Sequence, residues 1–258
     1  MSTIQTETDS SAKTKSYSQV IEIINLRKEF GTQEVLKNVS LKLYNGENLV
    51  VLGKSGSGKS VLIKCIVRLL DPDEGTINIL GEDVSTLTRN GLHELRKKIG
   101  FLFQSGALYD SMSVRQNLEF PLKRIKKNLS KNEIDEKVKE VLENVGLSDA
   151  LDKMPSQLSG GMRKRISLAR TLVVDPMIML YDEPTTGLDP VTSDEISTLI
   201  NDVQKKYKTS SLIITHDIEC ARATANRIIM LQDGEVYSEG KLEKFERSND
   251  PVIKSFFK

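Results

Sequence analysis

The sequence contains no tryptophan, only two cysteines and only two histidines in 258 residues. Cys65 and Cys220 lie in apolar, helix-like segments, and neither belongs to a Cys/His spacing that is typical of zinc sites. This argues against a disulfide framework and against a structural zinc site. With His93 and His216 as the only histidines, a histidine-rich metal site is excluded.

Long hydrophobic runs and an excess of one charge are also missing. The longest apolar runs, such as 178–181 and 211–215, are strand-sized and far shorter than the roughly 18 residues that span a bilayer. Lys and Arg number 37 and Asp and Glu 36, so the formal net charge is +1, which argues against binding of nucleic acid by bulk positive charge. The composition, 38% hydrophobic and 28% charged, is typical of a folded protein of one to two domains.

The two ends of the chain differ in composition from the middle. Residues 1–19 are rich in Ser and Thr, have no apolar core and carry Glu7 and Asp9. They predict a disordered leader rather than a secretory or transit signal, so we expect a cytoplasmic protein. The tail, residues 246–258, ends in an apolar group. It either packs on its own domain, which we favour, or anchors a second subunit.

Apolar periodicity divides residues 20–245 into two kinds of pattern. Residues 19–30 and 35–43 alternate, which predicts antiparallel strands. Beyond them, short apolar strands alternate with helix-like segments, which predicts a parallel sheet covered by helices on both faces. From about 104 to 160 the pattern is mostly helical, which predicts a subdomain inserted into the sheet domain.

A glycine-rich segment follows a predicted strand and precedes a predicted helix. It reads Gly53-Lys54-Ser55-Gly56-Ser57-Gly58-Lys59-Ser60 and fits the phosphate-binding pattern G-x-x-x-x-G-K-[ST]. Glycines permit tight turns, so backbone N–H groups can surround phosphate oxygens, and the helix N-terminus adds partial positive charge. In this chemistry Lys59 reaches the β- and γ-phosphates and the Ser60 hydroxyl binds Mg²⁺. The alternative is an ordinary glycine-rich turn without a ligand.

Two later strands end in polar residues that suit phosphoryl transfer. The apolar run 178–181 is followed by Asp182 and Glu183, and the run 211–215 by His216. Ligands bind at the carboxyl edge of a parallel sheet. We expect Asp182 to hold Mg²⁺, Glu183 to act as general base on the attacking water, and His216 to reach the γ-phosphate. Acids that merely end a strand, and a structural histidine, are the alternatives.

A further segment begins an amphipathic helix with two glycines. Ser159 is a good N-cap, but Gly160 and Gly161 weaken a helix unless something must approach the backbone closely. The basic run 163–165 opposes the helix dipole. An anion near this terminus would explain both features. The alternative is a plain N-cap followed by solvated basic residues.

In their order along the chain, these motifs resemble those of the ABC-type ATPases over about residues 20–245. The resemblance implies an α/β P-loop NTPase fold with a RecA-like core, an antiparallel β subdomain and a helical subdomain. It also implies a head-to-tail dimer of two copies with two ATP molecules at the interface. Phe30 would stack on adenine, Gln104 would contact Mg²⁺ and the transport domain, and Asp189 would tie the two subunits together. Met162 departs from the pattern, because the family most often has Gln there.

Together the motifs and the resemblance define the expected site, with ATP and Mg²⁺ as cofactors. The signature residues Ser159 and Gly161 would touch the γ-phosphate held by the partner copy. The expected catalytic residues are Lys59, Glu183 and His216. The expected nucleotide-binding residues are Phe30, Gly53, Lys54, Ser55, Gly56, Ser57, Gly58, Lys59, Ser60, Val61, Gln104, Ser159, Gly160, Gly161 and Asp189. The expected metal ligands are Ser60, Gln104 and Asp182.

Some segments are similar to the ATPases of MCE-type lipid transporters. These segments are residues 60–62, 103–112, 119–122, 161–165 and 249–252. That family moves phospholipids or related hydrophobic molecules and pairs the ATPase with integral membrane permease subunits and an MCE-domain lipid-binding protein. The resemblance implies these partners and a peripheral place on the inner face of the cytoplasmic membrane. Whether a small regulatory subunit also binds the helical insert stays open.

The permease would dock near residues 104–122. Helix-in-groove docking needs exposed apolar side chains, which Ala107, Leu108, Tyr109 and Met112 could supply, unless they belong to the core. Three other functions stay open. They are the ATPase of an importer for amino acids or metals, a soluble ABC protein of division, DNA repair or translation, and a P-loop small-molecule kinase. The balanced charge counts against nucleic acid, and a kinase gives residues 158–162 no role.

Overall fold

The computed structural model describes residues 19–257, so the expected leader lies outside the described residues except for Gln19. The strands are β1 (Gln19–Phe30), β2 (Gln33–Tyr44), β3 (Asn48–Leu52), β4 (Glu74–Ile79), β5 (Glu82–Asp83), β6 (Ile99–Leu102), β7 (Ile178–Asp182), β8 (Ser210–Thr215), β9 (Arg227–Gln232) and β10 (Glu235–Gly240). The helices are α1 (Lys59–Ile66), α2 (Arg89–Arg96), α3 (Val114–Ile125), α4 (Lys131–Asn144), α5 (Gly160–Leu172), α6 (Pro190–Tyr207), α7 (Ile218–Thr224), α8 (Leu242–Glu246) and α9 (Pro251–Lys254).

The strands form two sheets of different kinds. Four of them form an antiparallel sheet in the order β2-β1-β4-β5. The other six lie in the order β10-β9-β3-β8-β7-β6, in which β9, β3, β8, β7 and β6 are parallel and β10 joins the edge antiparallel. In the parallel sheet, the strand ends that the sequence marks with polar residues meet at one edge.

The central strand β3 is buried on both faces, which explains its unbroken apolar sequence. Val50 and Leu52 point into a core shared with α3 to α7, and Leu49 and Val51 into a core shared with β1, β2 and α1. Because successive side chains of a strand alternate between faces, β3 separates the two cores. The phosphate-loop segment therefore starts from a strand that is fixed on both sides.

The stretch expected to be a helical insert contains α3 and α4 and, among the described residues, no strand. Each helix begins with a serine capping box, Ser113 with Gln116 and Ser130 with Glu133. The apolar faces of the two helices join the core on the α5 side, as Leu118 and Val138 do. The insert therefore packs directly against the helix that the signature motif begins.

The end of α1 and the packing of the C-terminal tail both depend on contacts between residues that are far apart in sequence. Helix α1 ends at Ile66, whereas the sequence pattern predicts a helix that continues to Leu70, and Arg68 is left-handed at φ +52°. Arg96 donates to the carbonyls of Val67 and Arg68 at 2.9 Å each. At the C-terminal end, Ile253 is buried in the chain's own core. None of the helices between residues 19 and 257 is both long and apolar enough to cross a membrane.

Candidate nucleotide site

The loop between β3 and α1 is shaped by glycines that have no room for a side chain. Gly58 lies at φ +100°, and a Cβ there would be 2.8 Å from Leu36 Cδ2 and from the Val35 carbonyl oxygen. A Cβ at Gly53 would be 2.5 Å from the carbonyl oxygen of Leu231. The glycines of the motif thus let the loop fold tightly between β2 and β9 and place the N-terminus of α1 at its end.

Lys59, the first residue of α1, turns back into this loop and is 5% exposed. Its Nζ donates to the carbonyl oxygens of Gly53 at 2.8 Å and Lys54 at 3.0 Å. It also lies 3.5 Å from Glu183 Oε1. Burial lowers the pKa of Lys59, and the nearby Glu183 carboxylate opposes this shift. The ammonium group is therefore poorly compensated, and a phosphate would complete its surroundings.

The two acids after β7 face the loop in different ways. Asp182 Oδ1 accepts a hydrogen bond of 3.2 Å from the Ser60 hydroxyl. Burial raises the pKa of Asp182, and Glu183 adds to this, while the Ser60 hydrogen bond opposes it. A divalent cation beside Ser60 and Asp182 would offset this burial. The pair therefore offers two hard oxygen ligands at the loop.

Glu183 is held by the end of β8. Its Oε2 lies 2.8 Å from His216 Nδ1 and accepts from the His216 backbone N–H at 3.3 Å. The hydroxyls of Thr186 and Thr215 donate to the same oxygen at 3.2 and 3.4 Å. Glu183 is itself left-handed at φ +50° and buried. These contacts hold the carboxylate between Lys59 and His216, at the carboxyl edge of the parallel sheet.

A cavity of about 390 Å³ opens between these groups. Its lining is Val35, Ser55, Gly56, Gly58, Lys59, Ser60, Val61, Gln104, Glu183 and His216. A glycine-lined cavity that contains Lys59 at the N-terminus of α1 suits a triphosphate. Between residues 19 and 257 no cluster of three or more His, Cys, Asp or Glu side chains is placed to bind a metal ion. Ser60 and Asp182 nevertheless fit Mg²⁺, because Mg²⁺ in such sites completes its shell with water and substrate phosphates.

The signature residues do not line this cavity but gather beside Asp189. Ser159 caps α5 by accepting the Met162 N–H at 3.2 Å, and a Cβ at Gly161 would lie 2.5 Å from Thr192 Cγ2. Asp189 caps α6 by accepting from the Thr192 N–H at 3.0 Å and from its hydroxyl at 2.6 Å. Ser159 and Asp189 are exposed. These residues form a surface that a second molecule could cover.

Phe30 also lies outside the cavity lining. Its ring is 46% exposed at the end of β1, with Lys28 Nζ 5.4 Å from the ring centroid.

Three residues of the site were not predicted from the sequence: Val35, which forms a cavity wall, and Thr186 and Thr215, which hold Glu183. Thr186 lies three residues after Glu183 and Thr215 directly before His216, so their positions in the sequence could have indicated both threonines. For Val35 there was none, since it is one of many apolar residues in β2.

The comparison with known protein families covers the phosphate loop, the signature and the two acids after β7. Residues 36–186 match the family described as ABC transporter. The chain belongs to the ATP-binding subunits of ABC transporters. The "probable ribonucleotide transport ATP-binding protein mkl" of Mycobacterium leprae is 41% identical over 92% of this chain, and its Mycobacterium tuberculosis counterpart is 42% identical over 92%. The methionine import ATP-binding protein MetN of Brucella abortus is 38% identical over 92%.

This ABC subunit spans 68% of the length of the M. leprae relative, 66% of the M. tuberculosis one and 64% of the Brucella one. Among solved structures, a dimeric post-hydrolysis ATP-binding cassette bound to ADP and Pi has a TM-score of 0.78 and 35% identity, covering 86% of this chain and 98% of that chain. The Clostridium perfringens cbiO1, part of the cbiONQ transporter complex, has a TM-score of 0.81 and 29% identity, covering 92% and 94%. The expected ABC ATPase fold and ATP hydrolysis are confirmed.

Proposed function

We propose that this ABC subunit powers a membrane transporter of phospholipids or related hydrophobic molecules by binding and hydrolysing ATP as a head-to-tail dimer. The observation that carries the ATPase part is the cavity that joins the phosphate loop to Glu183, His216 and Gln104. The lipid part is supported by the segments that are similar to MCE-type ATPases. Two relatives are named for the transport of ribonucleotides and of methionine, which favours another substrate as the second candidate.

In this proposal the residues around the cavity divide the chemistry. Lys59 and the loop N–H groups bind the β- and γ-phosphates, and Phe30 stacks on the adenine. Ser60, Asp182 and Gln104 would hold Mg²⁺, which would neutralise charge on the phosphate oxygens. Glu183 takes a proton from the attacking water, and His216 steadies Glu183 and the γ-phosphate.

The exposed signature surface supports the dimer. Ser159 and Gly161 begin α5 outside their own cavity, next to the exposed Asp189. A helix N-terminus with a serine cap and glycines is a good anion site when a phosphate is brought to it. In a head-to-tail pair each signature would close the other copy's cavity. ATP would then favour the closed pair through contacts that are absent when the copies are apart.

The permease is proposed to dock beside α3. Tyr109 and Phe120 meet edge to face at 5.2 Å between ring centroids, and the guanidinium of Arg124 lies 4.8 Å from the Phe120 centroid. A cavity of about 740 Å³ follows this surface and is otherwise lined mainly by basic side chains. Its lining is His93, Phe120, Pro121, Lys123, Arg124, Ile125, Lys127 and Arg170. An amphipathic helix with acidic residues fits such a groove.

The same proposal covers the organisation and location of the chain. Residues 20–245 would be the nucleotide-binding domain, with 104–160 as its helical subdomain and 246–258 as a tail. The protein would lie in the cytoplasm against the inner face of the cytoplasmic membrane. Its partners would be a second copy of itself, permease subunits, an MCE-domain lipid-binding protein and a small regulatory subunit, without nucleic acid.

The test is to purify the tagged protein from detergent-solubilised membranes and identify the proteins that accompany it by mass spectrometry. A permease together with an MCE-domain protein supports the lipid proposal. An amino-acid, nucleotide or metal permease refutes the lipid substrate, and no membrane protein refutes the transport function.

The docking surface is tested in the same preparation with the variant Tyr109→Asp. The side-chain amide of Asn117 accepts from the backbone N–H of Tyr109 and donates to its carbonyl, so these two hydrogen bonds should persist in this variant. Tyr44→Asp is a matched control, since Tyr44 is similarly exposed at 43% and faces Arg227. Tyr109→Asp should lose the permease and keep ATP binding. Equal recovery with both variants would contradict the docking surface.

A further inference from the structure

One face of α5 lies along the backbone that joins β6 to α3. Lys164, Ser167 and Arg170 are spaced by three residues and therefore share this face. Ser167 Oγ would be only 2.6 Å from a Cβ placed on Gly106, so the loop approaches the helix as closely as glycine allows. Arg170 donates to the Ala107 carbonyl at 2.9 Å. Residues 104–107 are thus held against the signature helix.

Lys164 makes the contact that is hardest to explain by packing alone. It is 7% exposed, and its Nζ donates to the Gln104 carbonyl at 2.5 Å and, at 3.5 Å, to the Glu183 carbonyl. In the part of the chain that the structure describes, it forms no ion pair with a carboxylate. A buried ammonium that is bound to carbonyls alone is an expensive way to fix a loop.

The helix that carries Lys164 is capped by Ser159, whereas the carbonyls that Lys164 binds belong to Gln104 and Glu183. Lys164 lies five residues beyond Ser159, about 7.5 Å along the helix axis. Ser159 is proposed to touch the partner's nucleotide, whereas Gln104 and Glu183 line the cavity of their own subunit. A rigid helix between the two would transmit a displacement at its N-terminus to the carbonyls that Lys164 holds.

We propose that Lys164 is a positioning residue that couples the two nucleotide sites of the dimer, by fixing the backbone of Gln104 and Glu183 to the signature helix. This rests on the proposed assignment of the signature to the partner's site. When the partner's ATP draws in the start of α5, Lys164 carries Gln104 and the end of β7 with it. Lys164 does not itself line the cavity, so it makes no direct contact with the nucleotide of its own subunit, and ATP binding by a single subunit should change little when it is replaced.

The test compares steady-state ATPase activity of the full-length protein with those of Lys164→Met and Lys164→Gln. Methionine fills the space without a donor, and glutamine keeps a donor that is one bond shorter. Lys164→Met should lower kcat at least about tenfold, since small misplacements of catalytic groups have effects of this size. Its Hill coefficient for ATP should fall to about 1, and the ATP affinity of the monomer should stay within about twofold. Lys164→Gln should recover a substantial part of both kcat and cooperativity.

The matched control is Lys139→Met, on α4, where the lysine is 65% exposed and pairs with Asp135 at the surface. It should leave kcat, cooperativity and melting temperature unchanged. Wild-type cooperativity in Lys164→Met, or an equal loss in the Met and Gln variants, would overturn the proposal. A loss that follows only a lower melting temperature would also overturn it, because a purely structural role predicts that pattern.

The variant Ser159→Arg, measured in the same assay, distinguishes failure of the Lys164 proposal from failure of the proposed dimer. If Ser159→Arg blocks hydrolysis but Lys164→Met behaves as wild type, the signature assignment stands and the coupling through Lys164 is wrong. If Ser159→Arg hydrolyses ATP normally, the signature does not act on a partner's nucleotide, and the proposed dimer fails first.

Discussion

Replacing Glu183 by glutamine should stop hydrolysis and leave ATP bound in a stable dimer. The carboxylate lies 3.5 Å from Lys59 Nζ and 2.8 Å from His216 Nδ1. Glutamine keeps the shape and can still accept a hydrogen bond, but it cannot take a proton from water. We expect a fall in kcat of about 10²–10⁴, the usual contribution of a general base. In the activation barrier this is about 3–5 kcal/mol.

The same change should strengthen ATP binding rather than weaken it. At an effective dielectric constant of about 20, two unit charges 3.5 Å apart attract by about 5 kcal/mol. Burial of Lys59 works against this attraction, but removing one partner of a buried ion pair leaves the other charge uncompensated, so the free energy of unfolding without ATP should fall by about 3–5 kcal/mol. Without the carboxylate, Lys59 is free for a phosphate and the repulsion of the triphosphate decreases.

The assay is size-exclusion chromatography with light scattering, with and without ATP. Glu183→Gln with ATP should elute at about twice the 28.9 kDa of the chain, and without ATP as the monomer. Glu143→Gln is the control, because Glu143 is an exposed residue of α4 far along the chain from the cavity residues. A monomeric Glu183→Gln protein in saturating ATP, or one that hydrolyses ATP at the wild-type rate, would refute the reasoning.

Lys59→Met should abolish tight ATP binding without unfolding the protein, measured by titration calorimetry and thermal melting; normal affinity would contradict the phosphate site. Ser159→Arg should block ATP hydrolysis while the monomer binds ATP as before, because the signature acts across the dimer; a loss of monomer affinity would place it in its own site. Phe30→Ala should weaken ATP binding about tenfold, a typical loss for one aromatic–base stack, and leave tripolyphosphate binding unchanged. Burial raises the pKa of Cys65 and of Cys220 to about 11, so both thiols stay protonated at pH 8. They should therefore react with a thiol reagent only after denaturation, and rapid labelling of the folded protein would show that they are accessible.

Where local chemistry decides the structure, the sequence was a good guide. The strand β3 and the turn at Gly58 follow from an apolar run and from a glycine with a left-handed conformation, both of which are local properties. The end of α1 does not follow from local sequence, because Arg96 binds the carbonyls of Val67 and Arg68 from 29 and 28 residues away. The wall that Val35 forms in the cavity depends in the same way on how the two sheets meet.

The basic run after the signature shows most clearly what could not be predicted from the sequence. The sequence presents residues 163–165 as one feature that opposes the helix dipole, either beside an anion or in solvent. In the structure Arg163 is exposed, Arg165 pairs with Glu195 at 2.5 Å, and Lys164 is buried against carbonyl oxygens. Consecutive residues of a helix point about 100° apart, so three identical charges meet three different environments. Charge alone therefore could not identify Lys164 as the residue of this run that reaches both Gln104 and Glu183.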